Sequence, residues 1–483
     1  MIRGRVLAGS ITGAVIVAFD GTVLTVAQPS LRADLGASLA QVQWVGTGYL
    51  VAVAGLLVFA GRLGDRYGHQ RLFGIGMLGF GAASAGIAAA PDIGWMVGLR
   101  VVQGVFGALL QPATLGMLRA WYPPDALRRP IALRTAAIGV AAAVGPVVGG
   151  ALVSGPGWRA VFLVNVIPAV VFGGLALGWG GGNGSGNGSR GGGLAGGAGG
   201  GPVEGRRVGP AESGGAASGK RAHSLDLPGA LLLTLALGGL VLALLPGAHW
   251  TVAALVAVAG VAFVRHERRT PYPLVPGDVV RAPGVAAALA LLVAASAALH
   301  GTLFVCVFLL QGPLGLDPFE SAVRSLPLAV LMVGAAAGSP VVLRRLGARW
   351  TALVACGALT AGIVLLSQAT GTFALCCGFA LVGAGFGAVM VTATQVVVRH
   401  SPVASAGVAG GLQQTALHVG PVLGVAAVAA LMSDVGLRAA LVVPVVAGVV
   451  AGFAAWALPG GTSGGAGATG RAPGAVGTVA RSG

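Results

Sequence analysis

The stretch GRLGDRYGHQR at residues 61–71 is a short run of charge, bracketed by glycines, between two long apolar stretches. Similar apolar stretches follow one another along the chain, and about 20 apolar residues are enough for a helix to cross the hydrocarbon of a bilayer. Only 9% of the 483 residues are charged and 55% are hydrophobic. Because soluble domains carry about a quarter charged residues, this composition predicts an all-α integral membrane protein.

The apolar stretches predict fourteen transmembrane helices, and a count of twelve is the alternative. The eighth stretch, at 250–264, is short enough to be only half inserted. Removing the seventh and eighth spans together leaves every other orientation unchanged. The predicted spans are 6–28, 42–61, 72–90, 94–118, 131–153, 159–179, 226–246, 250–264, 284–309, 320–343, 351–369, 372–397, 405–432 and 436–457.

The positions of Lys and Arg predict the orientation. With a cytoplasmic N-terminus, the cytoplasmic side holds 24 of the 29 Lys and Arg residues, and the outer loops hold Arg32, Arg159, Arg324 and Arg438. Because cytoplasmic loops of membrane proteins are enriched in these residues, both termini are predicted to be cytoplasmic. The net charge of +16 then needs no nucleic-acid partner, since such a partner requires basic residues clustered on a soluble surface.

A change of composition divides the chain into parts. In the Gly-rich stretch, 14 of the 22 residues at 180–201 are glycine, which predicts a flexible cytoplasmic linker. Two six-helix bundles around a central site are typical of transporters. The predicted parts are an N-terminal six-helix bundle at 1–179, the linker at 180–225, an inserted two-helix hairpin at 226–270, a C-terminal six-helix bundle at 271–459 and a disordered cytoplasmic tail at 460–483.

Several chemistries are missing from the sequence. It contains no P-loop, no metal-binding histidine cluster and no nucleophile elbow. We therefore expect neither an enzyme nor an ATP-driven pump, and no cofactor or metal. Four cysteines, Cys306, Cys356, Cys376 and Cys377, fall within predicted spans and are expected to be small core residues.

The stretch at 61–71 resembles the cytoplasmic turn between the second and third helices of the major facilitator superfamily. His69 and Gln70 depart from the family pattern, which usually has basic residues there. Asp65, near the start of the third helix, suits the positive end of that helix dipole. The resemblance implies a gating role, and a positive-inside turn without such a role is the alternative. The matching gating residues are Gly61, Asp65, Arg66, Gly68 and Arg71.

Two more motifs resemble those of the same superfamily. RVVQGVFGALLQP at 100–112 is similar to its fourth-helix motif, and GPVVGG at 145–150 to the fifth-helix antiporter motif of its exporters. Glycines four residues apart let a neighbouring helix approach closely, and a proline favours a bend. Ordinary glycine packing is the alternative. The antiporter-motif residues are Gly145, Pro146, Gly149 and Gly150.

Three segments narrow the resemblance to the fourteen-span drug:proton antiporters. They are FDGTVLTVAQPSL at 19–31, WRAVFLVNVIP at 158–168 and FVRHERRTPYPLVP at 263–276. The resemblance implies a major facilitator fold that exports amphipathic drugs or antibiotics in exchange for protons, as a monomer in the bacterial cytoplasmic membrane. A solute uptake carrier and a sensor or scaffold without transport are the alternatives.

Asp20 is the candidate proton-carrying residue, because it lies well inside a predicted span. It is about eight residues, or roughly 12 Å, from the outer end of the first helix, and Arg100 is about six residues, or roughly 9 Å, from the outer end of the fourth. The two are therefore predicted to lie at the same depth. We expect the proton to compete with Arg100 or a cationic substrate for the carboxylate. A fixed Asp20–Arg100 ion pair is the alternative.

Polar residues within other spans are candidates for the substrate cavity. Histidine exchanges protons near neutral pH and glutamine binds polar groups, but core histidines and glutamines that bridge helices are the alternatives. No buried carboxylate is predicted in the second half, which favours neutral, zwitterionic or singly charged substrates. The candidates are Gln103, His300, Gln311, Gln413 and His418.

Overall fold

A computed structural model of the protein describes residues 2–123, 126–178, 226–243, 250–270, 284–400 and 406–459. These residues are almost entirely helical, with no β-strand among them. The predicted linker at 180–225 and the predicted tail at 460–483 lie outside the described residues.

The helices before residue 179 account for the first six predicted spans. The short helices α6 and α7 together form one apolar stretch, at Trp158–Gly178. The bounds are α1 Ile2–Asp34, α2 Leu39–Tyr67, α3 His69–Ala88, α4 Ile93–Trp121, α5 Arg128–Ser154, α6 Trp158–Leu163 and α7 Val166–Gly178.

The helices from residue 227 onward account for the remaining apolar stretches. A short 3₁₀ turn at Ala439–Leu441 precedes the last of them. The bounds are α8 Leu227–Ala243, α9 Trp250–Arg269, α10 Val285–Gln311, α11 Pro318–Gln368, α12 Thr372–His400, α13 Ala406–Val435 and α14 Val442–Trp456.

Among the described residues, twelve helices are long and apolar enough to cross a membrane, and α8 is apolar but has 17 residues. One of the twelve, α11, has 51 residues. At 1.5 Å per residue it would be about 76 Å long, more than twice the thickness of the hydrocarbon. Gly347 interrupts it with a φ of 76° and a ψ of 171°, between the two spans predicted there. The chain is a multi-pass, all-helical membrane protein.

The charged stretch at 61–71 is more helical than predicted. Helix α2 continues to Tyr67 and α3 begins at His69, so the chain reverses at Gly68, which has a φ of 95°. Glycine adopts this conformation without the steric cost that a side chain brings, which is why one residue is sufficient. Asp65 lies in the last turn of α2, and its carboxylate is 3.2 Å from Nε2 of His69, the first residue of α3.

Among the described residues, the most extensive contacts between the two halves are those of two helix pairs, α5 with α11 and α2 with α13. Gly150 of α5 lies against the backbone of α11, where a Cβ atom would stand 2.8 Å from the Cα atom of Phe319. Buried apolar residues of α2 and α13, among them Ala54 and Ala426, form the contact of the second pair. Small residues at such contacts let membrane helices approach closely.

Helices α8 and α9 pack on each other and α8 packs on α2. Gly55 of α2 faces Thr234 of α8 so closely that a Cβ atom on the glycine would overlap the threonine side chain. The Asp226 carboxylate accepts hydrogen bonds from the Gly229 backbone N–H at 3.0 Å and from His266 Nε2 at 2.7 Å. The His266 contact ties the start of α8 to the last turn of α9.

Candidate functional site

Four polar side chains meet inside the first half of the chain. They come from Asp20 on α1, Arg100 and Gln103 on α4, and Asn165 between α6 and α7, and each residue is at most 1% exposed. Burying polar and charged groups away from water is costly unless they find partners. Their partners are therefore what makes this arrangement possible.

The Asp20 carboxylate accepts hydrogen bonds on both of its oxygens. Arg100 Nη1 donates to Oδ2 at 2.6 Å, and Asn165 Nδ2 donates to Oδ1 at 3.2 Å. Gln103 Nε2 makes a longer contact with Oδ1, at 3.4 Å. Asp20 and Arg100, which the sequence predicts to lie at the same depth, are thus in direct contact.

Arg100 also ties α4 to its neighbours. Its Nε donates to the Val45 carbonyl oxygen of α2 at 2.9 Å, and its Cζ atom lies 4.6 Å from the centre of the Tyr49 ring. A guanidinium over an aromatic face is attracted by the ring. Gln103 Nε2 extends the network by donating to Ser84 Oγ of α3 at 2.7 Å. The cluster therefore joins α1, α2, α3 and α4 around the ion pair of Asp20 and Arg100.

Sequence reasoning missed two members of this network. Asn165 lies within the quoted segment at 158–168. An asparagine between apolar residues of a predicted span indicates a buried hydrogen-bonding group, so the sequence does contain a signal for it. Ser84, on α3, gives a weaker signal, because serine is common in membrane helices and often bonds to its own backbone. Its hydroxyl does donate to the Phe80 carbonyl oxygen, at 2.9 Å.

A cavity of about 220 Å³ lies between the two halves, and of the five predicted cavity residues, His300 lines it. Residues of α1 and α5 form one side and residues of α10, α11 and α12 the other. Pro146 of the antiporter motif belongs to the lining. Apolar side chains predominate, and the polar side chains are Thr22, Thr25, His300, Cys306, Ser321 and Ser325.

The remaining four predicted cavity residues lie elsewhere. Gln103 belongs to the Asp20 cluster, and Gln413 Nε2 donates to Thr394 Oγ1 at 2.7 Å. Gln311 Nε2 donates to the Val26 carbonyl oxygen at 3.0 Å, which links α10 to α1.

His418 likewise links the two halves. Its Nε2 lies 3.1 Å from Gln111 Nε2 of α4. Gln111 was not singled out from the sequence, although it lies in the quoted motif at 100–112.

The residues predicted to have a gating role lie around a contact of the His69 imidazole. His69 Nε2 lies 3.2 Å from the exposed Asp65 carboxylate, and the ring fills the space beside Gly64 of α2 and Gly116 of α4, where a Cβ atom would overlap it. Gln70 Nε2 donates to the Ala176 carbonyl oxygen of α7 at 2.9 Å. His69 and Gln70, which depart from the family pattern, thus contact Asp65 and the Ala176 carbonyl oxygen.

The other residues predicted to have a gating role make fewer contacts. Arg66 stacks over the neighbouring Tyr67 ring at 5.4 Å, and Arg71 is exposed. A Cβ atom on Gly61 would meet Pro112 of α4 at an ordinary van der Waals distance of 3.8 Å, and Gly68 provides the reversal. Glycine is therefore required by backbone conformation at Gly68 more than by packing at Gly61.

The antiporter-motif glycines face two different helices. Gly145 and Gly149 lie against α1, where a Cβ atom on Gly149 would stand 2.7 Å from Val23 Cγ1, while Gly150 lies against α11. One helical turn further along α5, Ser154 Oγ donates to the Asp317 carboxylate just before α11 and accepts from the Phe319 backbone N–H at 3.3 Å. The motif thus holds α5 against both α1 and the other half of the chain.

Comparison with known proteins identifies the family. The pattern of the Major Facilitator Superfamily matches residues 11–195. The tetracenomycin C resistance and export protein of Streptomyces glaucescens is 35% identical over 453 residues, which cover 90% of this chain and 77% of that protein. The chain belongs to the major facilitator superfamily.

Other relatives in the superfamily carry similar names. The puromycin resistance protein of Streptomyces alboniger is 33% identical over 85% of this chain and 78% of that protein. A multidrug efflux pump of Mycolicibacterium smegmatis is 28% identical over 85% of this chain and 77% of its own length. These relatives therefore align with 85–90% of the chain, and their names are those of resistance, export and efflux proteins.

Proposed function

We propose that this protein exports amphipathic drugs or antibiotics across the bacterial cytoplasmic membrane in exchange for protons. The observation that carries the proposal is the Asp20 carboxylate, which is buried within a membrane helix and held by Arg100. Thr22 and Thr25 of the same helix line the cavity between the two halves. Ionisable residues inside membrane helices mark proton and substrate pathways. The resistance and export names of the relatives support the direction of transport.

In this proposal Asp20 carries the proton. A protonated carboxyl group loses its charge and one acceptor site, so the contact with Arg100 weakens and the guanidinium shifts toward its other partners, Val45 and Gln103. Arg100 bonds to Val45 of α2, and Gln103 bonds to Ser84 of α3. Protonation of Asp20 on α1 therefore alters how α4 packs against α1, α2 and α3. Protonation is thereby coupled to the arrangement of the first bundle.

The proposed topology has fourteen spans and cytoplasmic termini. The interruption at Gly347 divides α11 into two membrane-length helices. Helix α8 packs on both α9 and α2. Adding α8 and the second part of α11 to the twelve apolar helices gives the proposed number. We infer a bundle at 1–179, a hairpin at 226–270 and a bundle at 271–459, with the 180–225 and 460–483 segments in the cytoplasm.

With this orientation, the contacts among Ser154, Asp317 and Phe319 lie at the outer end of the cavity. Gly150 lies one turn deeper and brings α5 against α11. We therefore infer that the structure represents a state closed to the outside. Alternating access requires these contacts to break when the cavity opens outward.

The test of the proposed function is transport by the purified protein in proteoliposomes. With the cytoplasmic side facing out and the lumen acidified, we expect an amphipathic fluorescent dye to accumulate inside while protons leave. Movement of dye and protons in the same direction would indicate an uptake carrier. No dye movement across a panel of amphipathic compounds would indicate a sensor or scaffold.

Asp65→Asn is expected to reduce export strongly while the amount of protein in the membrane stays unchanged. The amide keeps the shape of the side chain but removes the charge that faces His69, at 3.2 Å. Export is measured in energised inverted vesicles and insertion by immunoblot. Asp92→Asn is the matched control, because Asp92 caps α4 through the Trp95 backbone N–H and Asn caps helices equally well. Normal export by Asp65→Asn would show that the turn has no gating role.

A further inference from the structure

Three hydroxyl groups of the cavity between the two halves, on Thr22, Thr25 and Ser325, donate their hydrogens to backbone carbonyl oxygens. Thr22 donates to the Phe19 carbonyl oxygen at 3.0 Å, and Thr25 donates to the Gly21 carbonyl oxygen at 3.2 Å. On the opposite wall, Ser325 Oγ donates to a carbonyl oxygen of its own helix at 2.8 Å. A hydroxyl group that donates its hydrogen to a backbone carbonyl oxygen can still accept hydrogen bonds through its lone pairs. The three hydroxyls therefore offer acceptors to a ligand.

His300 adds a stronger acceptor on the wall formed by α10. Its Nδ1 lies 2.9 Å from the Ser296 carbonyl oxygen, and because a carbonyl oxygen can only accept, Nδ1 carries the hydrogen. In a neutral imidazole one nitrogen donates and the other accepts. His300 Nε2 is therefore the nitrogen available to a ligand in the cavity, and it is available as an acceptor.

The rest of the lining restricts the charge and shape of a ligand. The twenty described residues that line the cavity include no Asp, Glu, Lys or Arg, so they provide no counter-charge to a charged ligand. Phe379 and Phe386 of α12 contribute aromatic rings, which pack against flat apolar groups. The lining thus combines apolar walls with acceptors on both sides.

We propose that this cavity binds neutral aromatic compounds through their hydroxyl or phenol groups, and that His300 Nε2 selects for those donors. This names the substrate class of the proposed exporter and rests on that function. A compound whose phenol is replaced by a methyl ether keeps its apolar body but cannot donate. It would leave the His300 acceptor unpaired against the mostly apolar lining of the cavity, which costs binding affinity.

The test uses 1-hydroxypyrene and its methyl ether, 1-methoxypyrene, with the purified full-length protein. Binding is measured by fluorescence anisotropy, so the result does not depend on proton coupling or transport. We expect the phenol to bind about tenfold more tightly than the ether, the effect of one net hydrogen bond. His300→Leu is expected to remove this difference by weakening binding of the phenol alone.

His400→Leu is the matched control. His400 Nδ1 makes the same kind of contact, 3.0 Å from the Val396 carbonyl oxygen, but His400 is exposed at the end of α12 and does not line the cavity. This variant should keep the preference for the phenol. If His300→Leu does not fold, His300→Gln is tested in its place. The glutamine amide can donate to the ether oxygen as well as accept from the phenol, so this variant should bind the two probes with similar affinity.

Three results would overturn the proposal: equal affinity of the native protein for the two probes, binding of neither, or a preference that survives the loss of His300. The proposed function fails in a different way. A phenol preference that depends on His300, together with no transport in proteoliposomes, would support the binding site and contradict the exporter.

Discussion

Asp20→Asn is expected to abolish proton-driven accumulation of drug in inverted vesicles. Asparagine has nearly the same shape as aspartate, so it still accepts a hydrogen bond from Arg100, but it cannot take up or release a proton. In the native protein this carboxylate lies 2.6 Å from Arg100 Nη1 with no exposure to water. The measurement is dye accumulation in vesicles with an acidic lumen, normalised to the amount of protein in the membrane.

The matched control is Asp34→Asn at the end of the same helix. Asp34 is half exposed and pairs with Arg159 at 2.8 Å, so it is a carboxylate of α1 in an ion pair outside the buried cluster. Exposed ion pairs contribute at most about 1 kcal/mol to stability. We expect Asp34→Asn to accumulate drug at the native rate.

Folding must be separated from coupling, because removing one partner of a buried ion pair costs about 3–5 kcal/mol. The double variant Asp20→Asn with Arg100→Gln leaves no uncompensated charge in the cluster. It is expected to fold and insert better than Asp20→Asn and to remain unable to couple drug movement to protons. Native coupling in either variant would mean that the Asp20–Arg100 pair is a fixed structural element.

Gly150→Val is expected to stop transport by preventing closure of the outer end of the cavity. Even a Cβ atom at this position would stand 2.8 Å from the Pro318 carbonyl oxygen and from the Phe319 Cα atom. Both are backbone atoms, so no change of side-chain rotamer can relieve the overlap. The start of α11 must move away from α5, and the state with Ser154 against Asp317 is lost.

Closure can be measured by cross-linking a Ser154→Cys, Asp317→Cys pair in a chain whose four native cysteines are replaced by alanine. We expect rapid disulfide formation with Gly150 present and little with Gly150→Val. Gly139→Val on the same helix is the control, since a Cβ atom there meets no other atom within 4 Å. Unchanged cross-linking and transport in Gly150→Val would mean that the close approach of α5 and α11 is not needed for the cycle.

The depth of the Asp20–Arg100 contact was predictable from the sequence, because it depends on helix rise and on where the apolar stretches end. The partners were harder to predict. A membrane helix faces lipid on one side and protein on the other, and both are apolar, so the sequence lacks the polar stripe that sets the rotation of a helix in a soluble protein. Without that rotation, nothing in the sequence says that Gln103 turns toward Asp20 and Ser84 and away from the cavity.

The same limit applies to contacts between the two halves. Gln111 and His418 are 307 positions apart and meet only because α4 and α13 adopt one particular arrangement. The packing of His69 between Gly64 and Gly116 likewise depends on how α2, α3 and α4 approach one another. Residue types and motif order predict the superfamily, whereas these pairings follow from tertiary packing.

The interruption of α11 at Gly347 makes a comparison between the two halves possible. Gly347, with a φ of 76°, and Gly68, with a φ of 95°, each reverse the chain between two membrane helices. When the two glycines are aligned, Arg344 takes the place of Asp65 and Ala348 the place of His69. The second corner therefore turns at a glycine of positive φ, as the first does, and has Arg345 in the place of Arg66. It has neither the acid nor the imidazole of the first corner, so the contact between Asp65 and His69 has no counterpart there.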